Sequence, residues 1–114
     1  MPMKRQPWQD WVNLALGTWL LLAPMAGVTT QPDTVAAFNG YLAGLGIASF
    51  AILRIGNPSE TRWAEWLNIA FGGWLLLAPL ALAYTDEPVA ALNHVIVGGL
   101  VVALSAWSRQ EWRM

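Results

Sequence analysis

Four apolar runs, at 11–28, 34–54, 65–84 and 88–107, alternate along the chain with short polar breaks. Each run is near the ~20 residues that a helix needs to cross a hydrocarbon core of about 30 Å. None has the one-sided polar pattern of a helix on a water-facing bundle, so the pattern predicts four membrane-spanning helices. The breaks carry turn residues: Thr29 to Asp33, Gly56 to Glu60, and Thr85 to Pro88. Pro32 and Pro88 stand where a helix starts, a position that tolerates the missing N–H. Ser59 is a candidate cap for the third helix.

The runs are duplicated. Trp11–Pro24, WVNLALGTWLLLAP, returns 55 positions later as Trp66–Pro79, WLNIAFGGWLLLAP, and Trp8 matches Trp63. The second and fourth runs are related at an offset of 54, with Ala36, Ala37 and Asn39 against Ala90, Ala91 and Asn93. Repeat one covers 8–55 and repeat two 63–108 of a single transmembrane domain, 1–114. Each repeat is a helical hairpin that starts on the same side. The expected fold class is therefore an all-α membrane protein of four transmembrane helices, arranged as two tandem, parallel-oriented helical hairpin repeats about a pseudo-twofold axis along the membrane normal.

At about 100° per residue the helices divide into stripes. Asn13, Gly17, Leu20 and Pro24 share one side of the first helix, and Asn68, Gly72, Leu75 and Pro79 repeat it in the third. Trp8, Trp11, Ala15, Trp19 and Leu22 share the other side. Small residues permit close backbone approach in lipid, so the Asn/Gly/Pro stripe is expected inward and the Trp stripe toward lipid or a partner protein. Gly40, Gly44 and Ala48 form an extended GxxxG; Gly98 matches Gly44, and Gly99 with Ala103 is a further small pair.

Composition agrees with lipid as the solvent. Hydrophobic residues are 56% and charged residues 11%, against about 25% charged in soluble domains. A net charge of −1 gives no footprint for nucleic acid, and the absence of cysteine excludes disulfides and thiolate metal sites. The basic residues, Lys4, Arg5, Arg54, Arg62, Arg109 and Arg113, fall on the two tails and the middle loop. The positive-inside rule then makes both termini cytoplasmic in a multi-pass protein of the inner (plasma) membrane. Behind Lys4 and Arg5 the apolar run continues to about Val28, longer than the h-region of a secretory peptide, and reads as a retained span. Trp8, Trp11, Trp63, Trp66, Trp107 and Trp112 lie at the cytoplasmic boundary, whereas Trp19 and Trp74 lie near the midplane.

The twice-occurring W-x-N-x-x-x-G-x-W-L-L-x-x-P pattern at the head of a two-helix unit resembles the SPW-repeat family of small bacterial and archaeal membrane proteins. The resemblance covers the chain outside its tails. Where that family has Ser-Pro-Trp, this chain reads Ala23-Pro24-Met25 and Ala78-Pro79-Leu80, keeping only the proline. The resemblance implies topology and carries no established activity.

Candidate chemistry is sparse. His94, the single histidine, is a candidate cofactor ligand, an axial imidazole for haem or chlorophyll; the alternative is a hydrogen-bonding residue near the outer interface. Gly40 takes its place in repeat one. Asn13, Asn68, Asn39 and Asn93 either line a polar site on the axis or hydrogen-bond between helices. Pro24 and Pro79 either break their helices or bend them before the loop. Asp10 and Glu65 occupy equivalent positions and read as solvated boundary charges that pair with Arg54 or Arg62. No converging nucleophile, base or metal set suggests an enzyme, and no cofactor or metal is expected. The reading is a structural or accessory subunit whose Trp-rich faces pack on a larger membrane complex or on a second copy. The alternative is a small-molecule transporter or channel with an Asn-lined site between the repeats.

Overall fold

The computed structural model describes residues 8–27, 34–57, 60–82 and 87–113, with side chains in the last helix described through Trp107. They form four helices: α1 Trp8–Met25, α2 Val35–Gly56, α3 Arg62–Ala81 and α4 Pro88–Arg113. Of these, α2, α3 and the Pro88–Trp107 part of α4 are long and apolar enough to cross a membrane, and α1 is also apolar. At about 1.5 Å per residue, the 18 residues of α1 reach ~27 Å.

The helix ends follow local chemistry. Thr34 caps α2 by accepting from Ala37 N at 3.0 Å. Pro32 and Ser59 lie outside the described residues. The residue in the N-cap position of α3 is Thr61, whose hydroxyl instead donates to Asn57 O at 2.7 Å and so ties the start of α3 to the end of α2. α1 and α3 begin three residues before the apolar runs do, because their first turns are amphipathic: Trp8-Gln9-Asp10 and Arg62-Trp63-Ala64. α4 runs past Trp107, where nothing in Ser108–Arg113 interrupts a helix. Pro24 and Pro79 sit inside the last turns of α1 and α3. Just beyond Pro24, Gly27 takes a φ of 74°, and its N–H donates to Pro24 O at 3.0 Å, a left-handed stop suited to glycine.

Each hairpin closes on a backbone crossing. A Cβ added at Gly44 would lie 2.7 Å from Gly17 O, and one at Gly17 would lie 2.7 Å from Ala48 N. In the second hairpin a Cβ at Gly98 would meet Gly72 O at 2.5 Å, and one at Gly72 would meet Gly98 O at 2.8 Å. Gly99 and Ala103 take no part: Gly99 has only Leu76 nearby, at 4.0 Å from its Cβ position, and Ala103 is exposed.

The two hairpins meet through α2 on α3 and α1 on α4, and α2 also touches α4 across the centre. The core between them is Leu20, Ala43 and Ile47 from repeat one against Leu75, Val97 and Val101 from repeat two. These are repeat-equivalent positions, so the core obeys the pseudo-twofold. A thinner layer of Ala36, Ala78 and Ala90 lies toward the first and third loops. Outward faces carry large apolar side chains, among them Leu42 at 70% and Leu80 at 76% exposure, while ten polar or charged residues are buried among the described residues. That inversion is the surface of a protein whose solvent is lipid.

Leu at Gly44 or Gly98 is expected to force the crossings apart. Overpacking costs about 1–3 kcal/mol or more, which should appear as a lowered unfolding midpoint in detergent. Gly73 has nothing within 4 Å of its Cβ position. Gly73→Ala should therefore be neutral or raise stability by up to about 1 kcal/mol through helix propensity. Similar effects at all three positions would contradict the crossing geometry.

Candidate functional site

At the end of the bundle where α1 and α3 begin and α2 ends, the helix ends enclose a layer of polar side chains. Asp10 in the first turn of α1, Glu65 in the first turn of α3 and Arg54 in the last turn of α2 are 1%, 2% and 0% exposed. Arg54 Nη2 donates to Glu65 Oε2 at 2.9 Å, and Arg54 Nε lies 3.5 Å from Asp10 Oδ1. One guanidinium from repeat one thus holds the two carboxylates that the duplication places at equivalent positions. Each charge also suits its helix end, with anions at N-termini and the cation at a C-terminus. Gln9 is fully buried in the same layer.

This corrects the expectation that these charges are solvated. Asp10 stands three residues before Asn13 and seven before Gly17, so it continues the inward stripe of α1. Glu65 does the same for α3. Arg54 follows Ile47 by seven residues and lies on the buried face of α2. Arg62 is exposed. The helical phase was readable; the proximity of these groups to the tails suggested water instead.

One turn deeper, Asn13 Nδ2 donates to Ser105 Oγ at 3.2 Å, joining α1 to α4. Asn68, its repeat equivalent, is 1% exposed, and its Oδ1 has no hydrogen-bond partner. Gly17 and Gly72 lie beyond, at the crossings.

Toward the end of the bundle where α2 and α4 begin, the repeats exchange hydrogen bonds. Trp19 Nε1 of repeat one donates to Asn93 Oδ1 of repeat two at 2.7 Å, and Trp74 Nε1 of repeat two donates to Asn39 Oδ1 of repeat one at 2.6 Å. Both indoles remain about two-fifths exposed, at 41% and 40%. Their rings therefore face the surroundings while their N–H groups turn inward. Hydrocarbon offers no acceptor, so an indole N–H at this depth must find one in the protein.

His94 lies almost on the pseudo-twofold. It is 2% exposed, and its Nε2 sits 3.3 Å from where a Cβ would stand on Gly40, its own repeat equivalent. Leu20 O and Pro24 Cγ border the same point at 3.3 and 3.7 Å. α2 lies against the Nε2 edge of the imidazole. The histidine fills the space that glycine leaves. Pro24 and Pro79 are both buried in the last turns of their helices. A side cavity of about 420 Å³ opens between α2 and α3, lined by Phe38, Asn39, Leu42, Phe71 and Trp74 among others. Among the described residues no three His, Cys, Asp or Glu side chains gather as a metal site.

A duplicated hairpin with lipid-facing outer sides, small-residue crossings and reciprocal bonds between halves defines a class: a four-helix membrane protein built from two parallel repeats. The model of the SPW repeat domain matches residues 7–108, and the chain belongs to that family. Comparisons with curated proteins and with solved structures find no match.

Breaking a buried ion pair by removing one partner costs about 3–5 kcal/mol. Arg54→Leu, which strands two carboxylates, should lower stability on that order in a detergent unfolding assay, whereas Arg62→Leu at an exposed site should change it little. Equal midpoints would contradict the burial of the layer. Trp74→Phe keeps an aromatic side chain but removes the indole N–H and its bond to Asn39 along with part of the ring, so a smaller loss than at Arg54, about 0.6–2 kcal/mol from the bond, is expected.

Proposed function

We propose that this SPW-repeat protein is a structural or accessory subunit of the inner membrane that packs through its Trp-bearing faces on a larger membrane assembly or on a second copy. The observation that carries the reading is the pair of equivalent tryptophans Trp11 and Trp66, each 56% exposed, flanked by half-exposed Trp8 and Trp63. Large amphipathic rings repeated at one level on two outer helix faces make a ready contact surface. Trp8 and Trp63 are themselves braced, by an edge contact to Trp107 at 5.0 Å and to Phe50 at 5.9 Å. The family is not a known enzyme family, and the proposal includes no catalytic step. Both termini are proposed to be cytoplasmic, supported by the placement of Lys4, Arg5, Arg54, Arg62, Arg109 and Arg113.

A second reading, a small-molecule transporter or channel with an Asn-lined site, is favoured by one feature only: Asn13 and Asn68 are both buried and both leave Oδ1 without a hydrogen bond.

Purified in mild detergent from its native membrane, the protein should run as an oligomer or with a stoichiometric partner, and the double variant Trp11→Ala/Trp66→Ala should release it as a monomer. A partnerless monomer in both cases would remove the accessory reading. Solute flux into liposomes that disappears in Asn13→Leu/Asn68→Leu would favour the second reading instead. A reporter fused to Met114 should be active only when a cytoplasmic location permits it.

A further inference from the structure

The seam between α2 and α3 departs in its residues from the seam between α4 and α1. Ala43 and Gly46 of α2 face α3, and their equivalents on α4 are the larger Val97 and Leu100. The side chains around them run the other way: Phe38 and Phe71 stand where the other seam has Leu92 and Leu16. Small residues below and rings at the sides make a slot, the cavity of about 420 Å³. A second cavity of about 380 Å³, on Leu67 and Ala70, meets it at Phe71 and Trp74, which line both. From Leu67 to Leu82 the two follow α3 for ~22 Å at about 1.5 Å per residue. Half of a hydrocarbon core of about 30 Å is ~15 Å, so a chain from one leaflet fits within that length.

The walls are held in place. The Phe71 ring lies over Gly46, where an added Cβ would collide with it, and beside Phe50 at 6.0 Å between ring centres. The Trp74 ring is tied by its N–H to Asn39 at 2.6 Å. Asn39 is the polar side chain of the lining, and that bond already engages its oxygen. The slot therefore asks no hydrogen bond of its occupant, and a polar ligand would give up hydration without replacement. Water needs two to four polar partners, which this lining does not offer. The slot is continuous with the face that meets lipid, since Val35, Phe38 and Leu42 are each more than half exposed on its rim. What lies against it is hydrocarbon. On a flat helix face a lipid chain has protein on one side; between fixed rings it gains dispersion contact on several.

We propose that the slot between α2 and α3 binds one acyl chain of a membrane phospholipid as a resident, ordered ligand. Phe38 and Phe71 give it its walls, and Ala43 and Gly46 give it its depth. The site rests on immersion in lipid and does not depend on the accessory role proposed above.

The test is native mass spectrometry of the full chain, extracted from its own membrane in mild detergent and washed with an excess of it. The expected result is one retained phospholipid per chain. Phe38→Leu/Phe71→Leu puts the residues of the other seam in the walls. It should lower the retained fraction several-fold while helical content by circular dichroism stays unchanged. Leu92→Ala, on the exposed face of α4, should retain as much as the unaltered chain. A chain that carries no phospholipid, an isoprenoid retained in its place, or equal retention in the double variant and Leu92→Ala overturns the proposal. Should the double variant fail to fold, Phe38→Leu alone, at an exposed position, decides.

Discussion

Apolar side chains gain nothing by leaving lipid for a protein interior, so helices in a membrane are held by close packing and by polar groups that have nowhere else to go. Here backbone meets backbone at the pair of glycine crossings, Gly17 on Gly44 and Gly72 on Gly98, where only a hydrogen stands between one chain and the next. They set the distance between the helices of each hairpin. That distance allows Leu20 and Leu75 to meet at the centre with Ile47 and Val101 beside them. It also sets how far Trp19 and Trp74 must reach to find an acceptor in the opposite repeat.

The polar groups divide by depth. Toward the starts of α2 and α4 the indole–amide pairs are neutral and reciprocal, and each half gives one donor and one acceptor. Toward the termini the groups are charged and the arrangement is lopsided, since Arg54 serves both carboxylates. A buried charge is tolerable in a membrane protein when it is paired and sits near a helix end, where the peptide dipoles favour it. The layer meets both conditions and joins α1, α2 and α3 at one residue. Its loss would be felt by both hairpins together.

Much of the architecture is legible in the residue pattern. The four spans, their hairpin pairing and the shared orientation of the repeats follow from apolar run length and from the Trp11–Pro24 duplication. The helix starts are shifted because apolar counting passes over an amphipathic first turn. The interior chemistry is less legible. Asp10 and Glu65 lie on the inward stripe, but a charge beside a tail looks solvated until Arg54, 44 residues from Asp10 and 11 from Glu65, is seen to cover it. The Trp19–Asn93 bond spans 74 positions and the Trp74–Asn39 bond 35, distances over which helical periodicity carries no information. The face of a tryptophan can be drawn from the sequence; the direction of its N–H depends on a neighbour from the other repeat.

The meeting of His94 with Gly40 has a bearing on why two hairpins share one polypeptide. If identical hairpins assembled as a homodimer about the same axis, the two facing positions would have to carry the same residue. Two histidines would collide there, and two glycines would leave a hole. Covalent linkage lifts that rule: a large residue can evolve on one side of the axis while its twin shrinks on the other. Fusion therefore opens to this molecule a mixed filling of its centre that no symmetric assembly of its halves can reach.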